Sequence, residues 1–197
     1  PTYEKLPILN LPEQVRQKES GLRYKPYWKF SNDEFSLNLG PRVFGIVFQK
    51  PYNGWEIFSK SALKVIRKIE NTGLVYNIVR LGIRYINFFE SDIFENIDVK
   101  LKIGDENFVK EDTYIKNSFE QNGHRILLQI GNKSEYNNAE VSRHGSIIDV
   151  DVLNKSLGTD FLENPKPFLD DAHSIEKEIF YNILSNQFVK NKLNPEY

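Results

Sequence analysis

Val75-Tyr76-Asn77-Ile78-Val79-Arg80-Leu81-Gly82-Ile83-Arg84-Tyr85-Ile86-Asn87-Phe88-Phe89 decides the fold, because these residues form the longest β-type run in the chain. An ordinary strand has about five or six residues, so a run this long reads as the central strand of a sheet. Successive side chains in a strand point to opposite faces. Val79, Leu81, Ile83 and Tyr85 therefore share one face, and Arg80, Gly82 and Arg84 share the other. At ~3.3 Å per residue the two guanidinium stems start roughly 13 Å apart. The glycine between them leaves room for a ligand or another backbone to come close, a layout suited to cradling an anion.

Working upstream, Asn71-Thr72-Gly73 stops a helix whose apolar positions Ala62, Leu63, Val65, Ile66 and Ile69 recur at helical spacing, with Ser59 as its expected cap. Asn53-Gly54 marks a turn before it. Phe35, Leu37 and Leu39 alternate with Ser36 and Asn38, Gly40-Pro41 turns the chain, and Arg42 to Phe48 returns, the pattern of an antiparallel hairpin. The first 26 residues carry four of the nine prolines and a polar patch, Glu13 to Ser20, long enough for two helical turns at most. They read as an extended arm leading into the sheet.

Downstream, Ile97, Val99, Leu101 and Ile103 alternate with Asp98, Lys100 and Lys102, which predicts a strand with one wet face ending at the Gly104-Asp105 turn. Residues 106 to 123 give no clear pattern. Asn122-Gly123 precedes a strand over His124 to Ile130, and a polar stretch leads to another over Val141 to Leu153. Asn154 to Pro167 reads as a loop. A closing helix from about Asp170 to Lys192 follows, with Ala172, Ile175, Ile179, Phe180, Ile183, Leu184 and Phe188 as its apolar stripe. The expected architecture is α+β: an arm over 1–26, then one domain over 27–197 in which a curved, mainly antiparallel sheet carries helices on one face and ends in a long helix.

Composition narrows the function classes. With no cysteine among 197 residues the chain has no disulfide, no thiolate nucleophile and no cysteine-bearing zinc or iron-sulfur site. Lys plus Arg at 26 against Asp plus Glu at 27 leaves a net charge of -1, so no whole-protein field favours nucleic acid or an anionic membrane. No apolar run reaches the ~18 residues of a membrane span, and no basic segment followed by an apolar run opens the sequence. A cytoplasmic protein with no membrane partner is the expectation. The absence of Met, with Pro at position 1, points to a natural start further upstream or to methionines lost from the sequence.

Asp149 and Asp151 share one strand face while Ile148, Val150 and Val152 share the other. If their strand joins the sheet of Arg80 and Arg84, two acids and two arginines meet. One reading makes the acids a metal or acid-base pair and the arginines a phosphate grip. The ordinary reading is an ion-pair ladder in which Arg forks bind carboxylates and fix strand register. His124, His144 and His173 have no metal-binding spacing, and no G-x-S-x-G, P-loop or dinucleotide motif occurs, so no catalytic residue, metal ligand or cofactor is assigned. Lys60, Lys64, Arg67 and Lys68 form a basic helix stripe that suits either phosphates or plain solvent.

Tyr52-Asn53-Gly54-Trp55, then Arg80-Leu81-Gly82-Ile83-Arg84-Tyr85-Ile86-Asn87, the late strand around Asp149 and Asp151, and a closing helix begun near His173 resemble a sporadically distributed, uncharacterised bacterial family. Its hallmark is an R-x-G-L-R-Y-I-N strand. The resemblance runs from about Tyr27 to the end, with Ile83 in place of the usual Leu. The family's additional N-terminal strand and helix are unmatched in the first twenty-odd residues. The resemblance implies no known activity; patchy occurrence of that kind suggests a mobile-element setting, in defence or a toxin-antitoxin system. The expected function is a non-enzymatic interaction protein that binds a partner protein or a second copy of itself through Arg80, Gly82, Arg84 and Trp55, with Asp149 and Asp151 nearby. Nucleic-acid binding or metal-dependent nucleic-acid processing is the alternative.

Overall fold

The computed structural model describes residues 2–48, 52–107, 112–137, 142–158 and 160–193. The fold is α+β, as expected, but among the described residues its strands divide between two four-stranded antiparallel sheets and one two-stranded pair where the sequence predicts one sheet. The chain forms two compact units, Pro1–Ile66 and Arg67–Tyr197.

In the first unit, β1 (Thr2–Lys5), β2 (Trp28–Ser31), β3 (Phe35–Gly40) and β4 (Val43–Phe48) lie in sequence order. The predicted hairpin is β3–β4, with Leu37 opposite Ile46 and Leu39 opposite Phe44. The opening arm supplies strand β1 and a short helix, α1 (Glu13–Lys18), on the polar patch. Register puts Tyr3, Phe30, Leu37 and Ile46 in one row and Trp28, Leu39 and Phe44 in the next, all on one apolar face. Tyr3 and Phe30 remain exposed there.

Helix α2 (Trp55–Glu70) starts five residues earlier than a Ser59 cap predicts. Gly54, at φ 90°, turns the chain into it. Ser59 is consequently buried inside the helix, donating its hydroxyl to the Glu56 carbonyl at 3.2 Å, and is no cap. The predicted stop holds: Gly73 has φ 67°, a left-handed conformation that glycine adopts without a Cβ clash.

The second unit's sheet runs β5 (Ile78–Phe89), β10 (Ser142–Gly158), β9 (His124–Asn137), β8 (Tyr114–Gln121). The long run is thus an edge strand, contrary to its predicted central place. Length alone misled, because β10 is longer still and takes the centre beside β9. Of residues 106–123, unreadable in sequence, 108–111 lie outside the described residues and Tyr114–Gln121 form β8, joined to β9 by Asn122 (φ 51°) and Gly123 (φ 77°), the two positive φ values of a tight hairpin turn. The strand predicted over 97–103 does not form: Ile97 makes an isolated bridge to Leu184, and only Lys102–Ile103 (β6) pairs, with Glu106–Asn107 (β7).

The predicted loop over 154–167 is mostly ordered structure: β10 runs on to Gly158, then come α3 (Asp160–Glu163) and α4 (Pro165–Ile183). Pro165 opens α4, where proline's missing N–H costs nothing. The closing helix breaks after Ile183 because Leu184 is drawn into its bridge with Ile97, and Ser185 accepts a hydrogen bond from the Phe188 amide to start α5 (Asn186–Phe188). Helix α4 packs on β10 and β5. Between them lies the core, with Ile126, Ile148, Val150 and Val152 fully buried.

Candidate functional site

Because β5 and β10 are antiparallel neighbours with Arg84 opposite Asp151, the two arginines and two acids do share one face, the side away from α4. Arg84 Nε donates to Asp149 Oδ1 at 2.9 Å and Nη2 to Oδ2 at 2.6 Å. Gln129, directly across from Asp149 on β9, donates Nε2 to the same Oδ2 at 2.6 Å. Its own Oε1 accepts from the Tyr114 hydroxyl of β8 at 2.6 Å. One line of hydrogen bonds thus crosses all four strands. Asp149 is buried at 2% exposure, whereas the Arg84 side chain keeps 52% of its surface.

Asp149 takes three donors, which satisfies a buried carboxylate. The same hydrogen bonds raise the Arg84 pKa above its already high ordinary value, against the opposing effect of burial. Asp151 is different. Burial raises its pKa, while Arg84 and Arg80 pull it back and Asp149 adds to the rise. The space over Gly82 is taken by its cross-strand neighbours: a Cβ there would meet Leu153 Cδ2 at 3.1 Å and Asp151 Oδ1 at 3.6 Å. Gly82 makes room for those two side chains. Around the fork, Ile86 and Tyr114 are exposed and Phe88, Leu127, Ile147 and Leu153 half-buried.

Trp55 belongs to the first unit and is the first residue of α2; its ring stacks on Phe58 with centroids 5.5 Å apart. Of the basic stripe, Lys60, Lys64 and Lys68 are exposed. Arg67 is occupied, bound to Glu70 at 2.8 Å and to the carbonyls of Leu162 and Glu163 at 3.2 and 3.1 Å.

Each histidine meets a different carboxylate: His124 with Asp171 at 3.3 Å, His144 with Glu135 at 3.9 Å, His173 with Glu176 at 3.9 Å. Among the described residues no group of three or more histidine and acidic side chains is placed to hold a metal ion. Burial, with Lys177 adding to it and Asp170 opposing, lowers the His173 pKa. Burial alone pushes Glu176 up to about 7.

Strand alternation puts Arg84 and Asp149 on faces that meet if their strands share a sheet, and it gives no sign of Gln129, Tyr114 or Glu176. Gln129 stands out only once β9 is registered against β10, and Tyr114 lay in the stretch without a pattern. Glu176 falls on the apolar face of α4, where its spacing from Ala172 and Ile179 was the available signal.

No protein-family model matches the chain, and neither the curated proteins nor the solved structures supply a match. Among the described residues no helix is long and apolar enough to cross a membrane.

Proposed function

We propose that this chain is a non-enzymatic interaction protein that binds a partner protein, or a second copy of itself, through the open face of its second sheet. The observation that carries this reading is the Arg84 fork, locked by Asp149 and half exposed between Ile86 and Tyr114. Arg and Tyr are frequent interface anchors, and a guanidinium already held in place loses little side-chain entropy on binding. A setting in defence or a toxin-antitoxin system extends this reading through the family resemblance, and a cytoplasmic location is proposed with it.

Nucleic-acid binding draws on the exposed Lys60, Lys64 and Lys68. It is the weaker reading, because Arg84 is already forked to a carboxylate and Asp149 and Asp151 place negative charge where a phosphate would sit.

Native mass spectrometry of the chain purified from its own host at moderate salt, with nucleic acid read by absorbance, separates the readings. A protein at fixed stoichiometry, or a homo-oligomer, that is lost in Ile86→Asp supports the proposal. Nucleic acid released by salt, or a bare monomer, overturns it.

A further inference from the structure

Helix α4 buries Leu169, Ala172, Ile175, Glu176 and Ile179 against the sheet. Glu176 sits in the middle of that stripe at 4% exposure. The rows it faces are Leu81, Ile83, Tyr85, Asn87 and Phe89 of β5, and Ser146, Ile148, Val150, Val152 and Asn154 of β10, none of them charged. Arg80, Arg84, Asp149 and Asp151 stand on the opposite face of the same strands.

The titratable groups on the α4 side are few. Tyr85 lies on β5, its ring 5.6 Å from that of His173. His124 on β9 meets Asp171, more than a turn before Glu176. From α3 the buried side chains are Phe161 and Leu162, and from α5 Phe188, all apolar. On α4 itself, His173 Nδ1 is 3.9 Å from Glu176 Oε2, too far for a hydrogen bond, with Asp170 and Lys177 acting on His173.

We infer that Glu176 and His173 form a proton-controlled latch that holds α4 against β5 while the Glu176 carboxyl is neutral and weakens that hold when the carboxyl ionises. A buried carboxylate is costly unless a counter-charge and donors receive it. Among the described residues the base that approaches Glu176 is His173, and its own burial and the neighbouring Lys177 oppose its taking up the proton that Glu176 loses. The charge must then be solvated, which means parting helix from strand. The latch is independent of whether the opposite sheet face binds a partner.

The test is a carboxyl 13C NMR titration of the full chain from pH 5 to 9, with hydrogen exchange of the α4 and β5 amides at pH 6.0 and 8.5 corrected for intrinsic rates. Glu176 should titrate near 7. Opening of α4 should rise about tenfold between the two pH values, one pKa unit's worth of free energy. Glu176→Gln should keep the same opening at both. A Glu176 that titrates in the ordinary carboxylate range, or wild-type protection independent of pH, overturns the latch, and neither result requires the variant to fold.

Discussion

Arg84 stands opposite Asp151 in the β5–β10 ladder, yet its guanidinium grips Asp149, the diagonal neighbour two residues along β10. The acid directly across the ladder is held by charge alone, while the diagonal acid is buried and forked. The two should therefore respond differently to mutation.

Arg84→Ala removes two of the three donors from the buried Asp149. Breaking a buried pair costs about 3–5 kcal/mol, and because Arg84 is half exposed the expected loss is nearer 2 kcal/mol. Asp151→Asn should stay within about 0.5 kcal/mol of wild type. Urea unfolding of both variants checks this; equal losses would mean that the fork does not define the site.

Glu176 gives global stability a distinctive pH dependence. Its folded pKa of about 7 lies above the ordinary value of 4.5, so between those two pH values the folded state holds the proton that the unfolded state has already lost. Stability from this group is therefore full below about pH 4.5, falls as pH rises, and levels off above 7. The whole change is about 3 kcal/mol. Glu176→Gln should flatten the profile, and chemical denaturation across pH 4 to 9 reads it.

Two glycines of the second sheet should differ sharply. Gly145 adjoins the bulge in β10, and a Cβ there would collide with the Phe89 carbonyl oxygen and come within 2.7 Å of the Phe88 ring. Backbone cannot yield as a side-chain end can, so Gly145→Ala should cost about 3 kcal/mol or more. Gly82→Ala presses on Leu153 Cδ2, a movable tip, and should cost about 1 kcal/mol. Thermal unfolding of the pair measures the contrast.

Ile86 is exposed beside the fork. Ile86→Asp should leave stability within about 0.5 kcal/mol of wild type while removing any partner bound to that face. Loss of folding in place of loss of binding would make Ile86 a packing residue.

Alternation made much of this legible. The period of two in β10 separated Asp149 and Asp151 from Ile148, Val150 and Val152 before any coordinates, and the β3–β4 hairpin followed from Gly40-Pro41. Sheet order was not legible: nothing local in β5 says that β10, much later in the chain, is its neighbour, so its place at the edge was lost. The strand expected over 97–103 failed because its alternation is real but Ile97 finds its partner in Leu184. The helix start at Trp55 was missed because Ser59 suits a cap by type, while Gly54 supplies the turn by conformation.

The pairing of β5 with β10 also bears on how the chain is made. On a ribosome β5 emerges first, and Phe89 must wait for Ser146, and Arg80 for Lys155, before either has a neighbour in the sheet. At ordinary synthesis rates that interval is on the order of seconds. Throughout it a long strand with Ile, Val, Tyr and Phe lacks its mate, and charged side chains on such a strand, here Arg80 and Arg84, are of the kind that disfavours edge-to-edge joining. Only once Asp149 has been made can Arg84 close its fork.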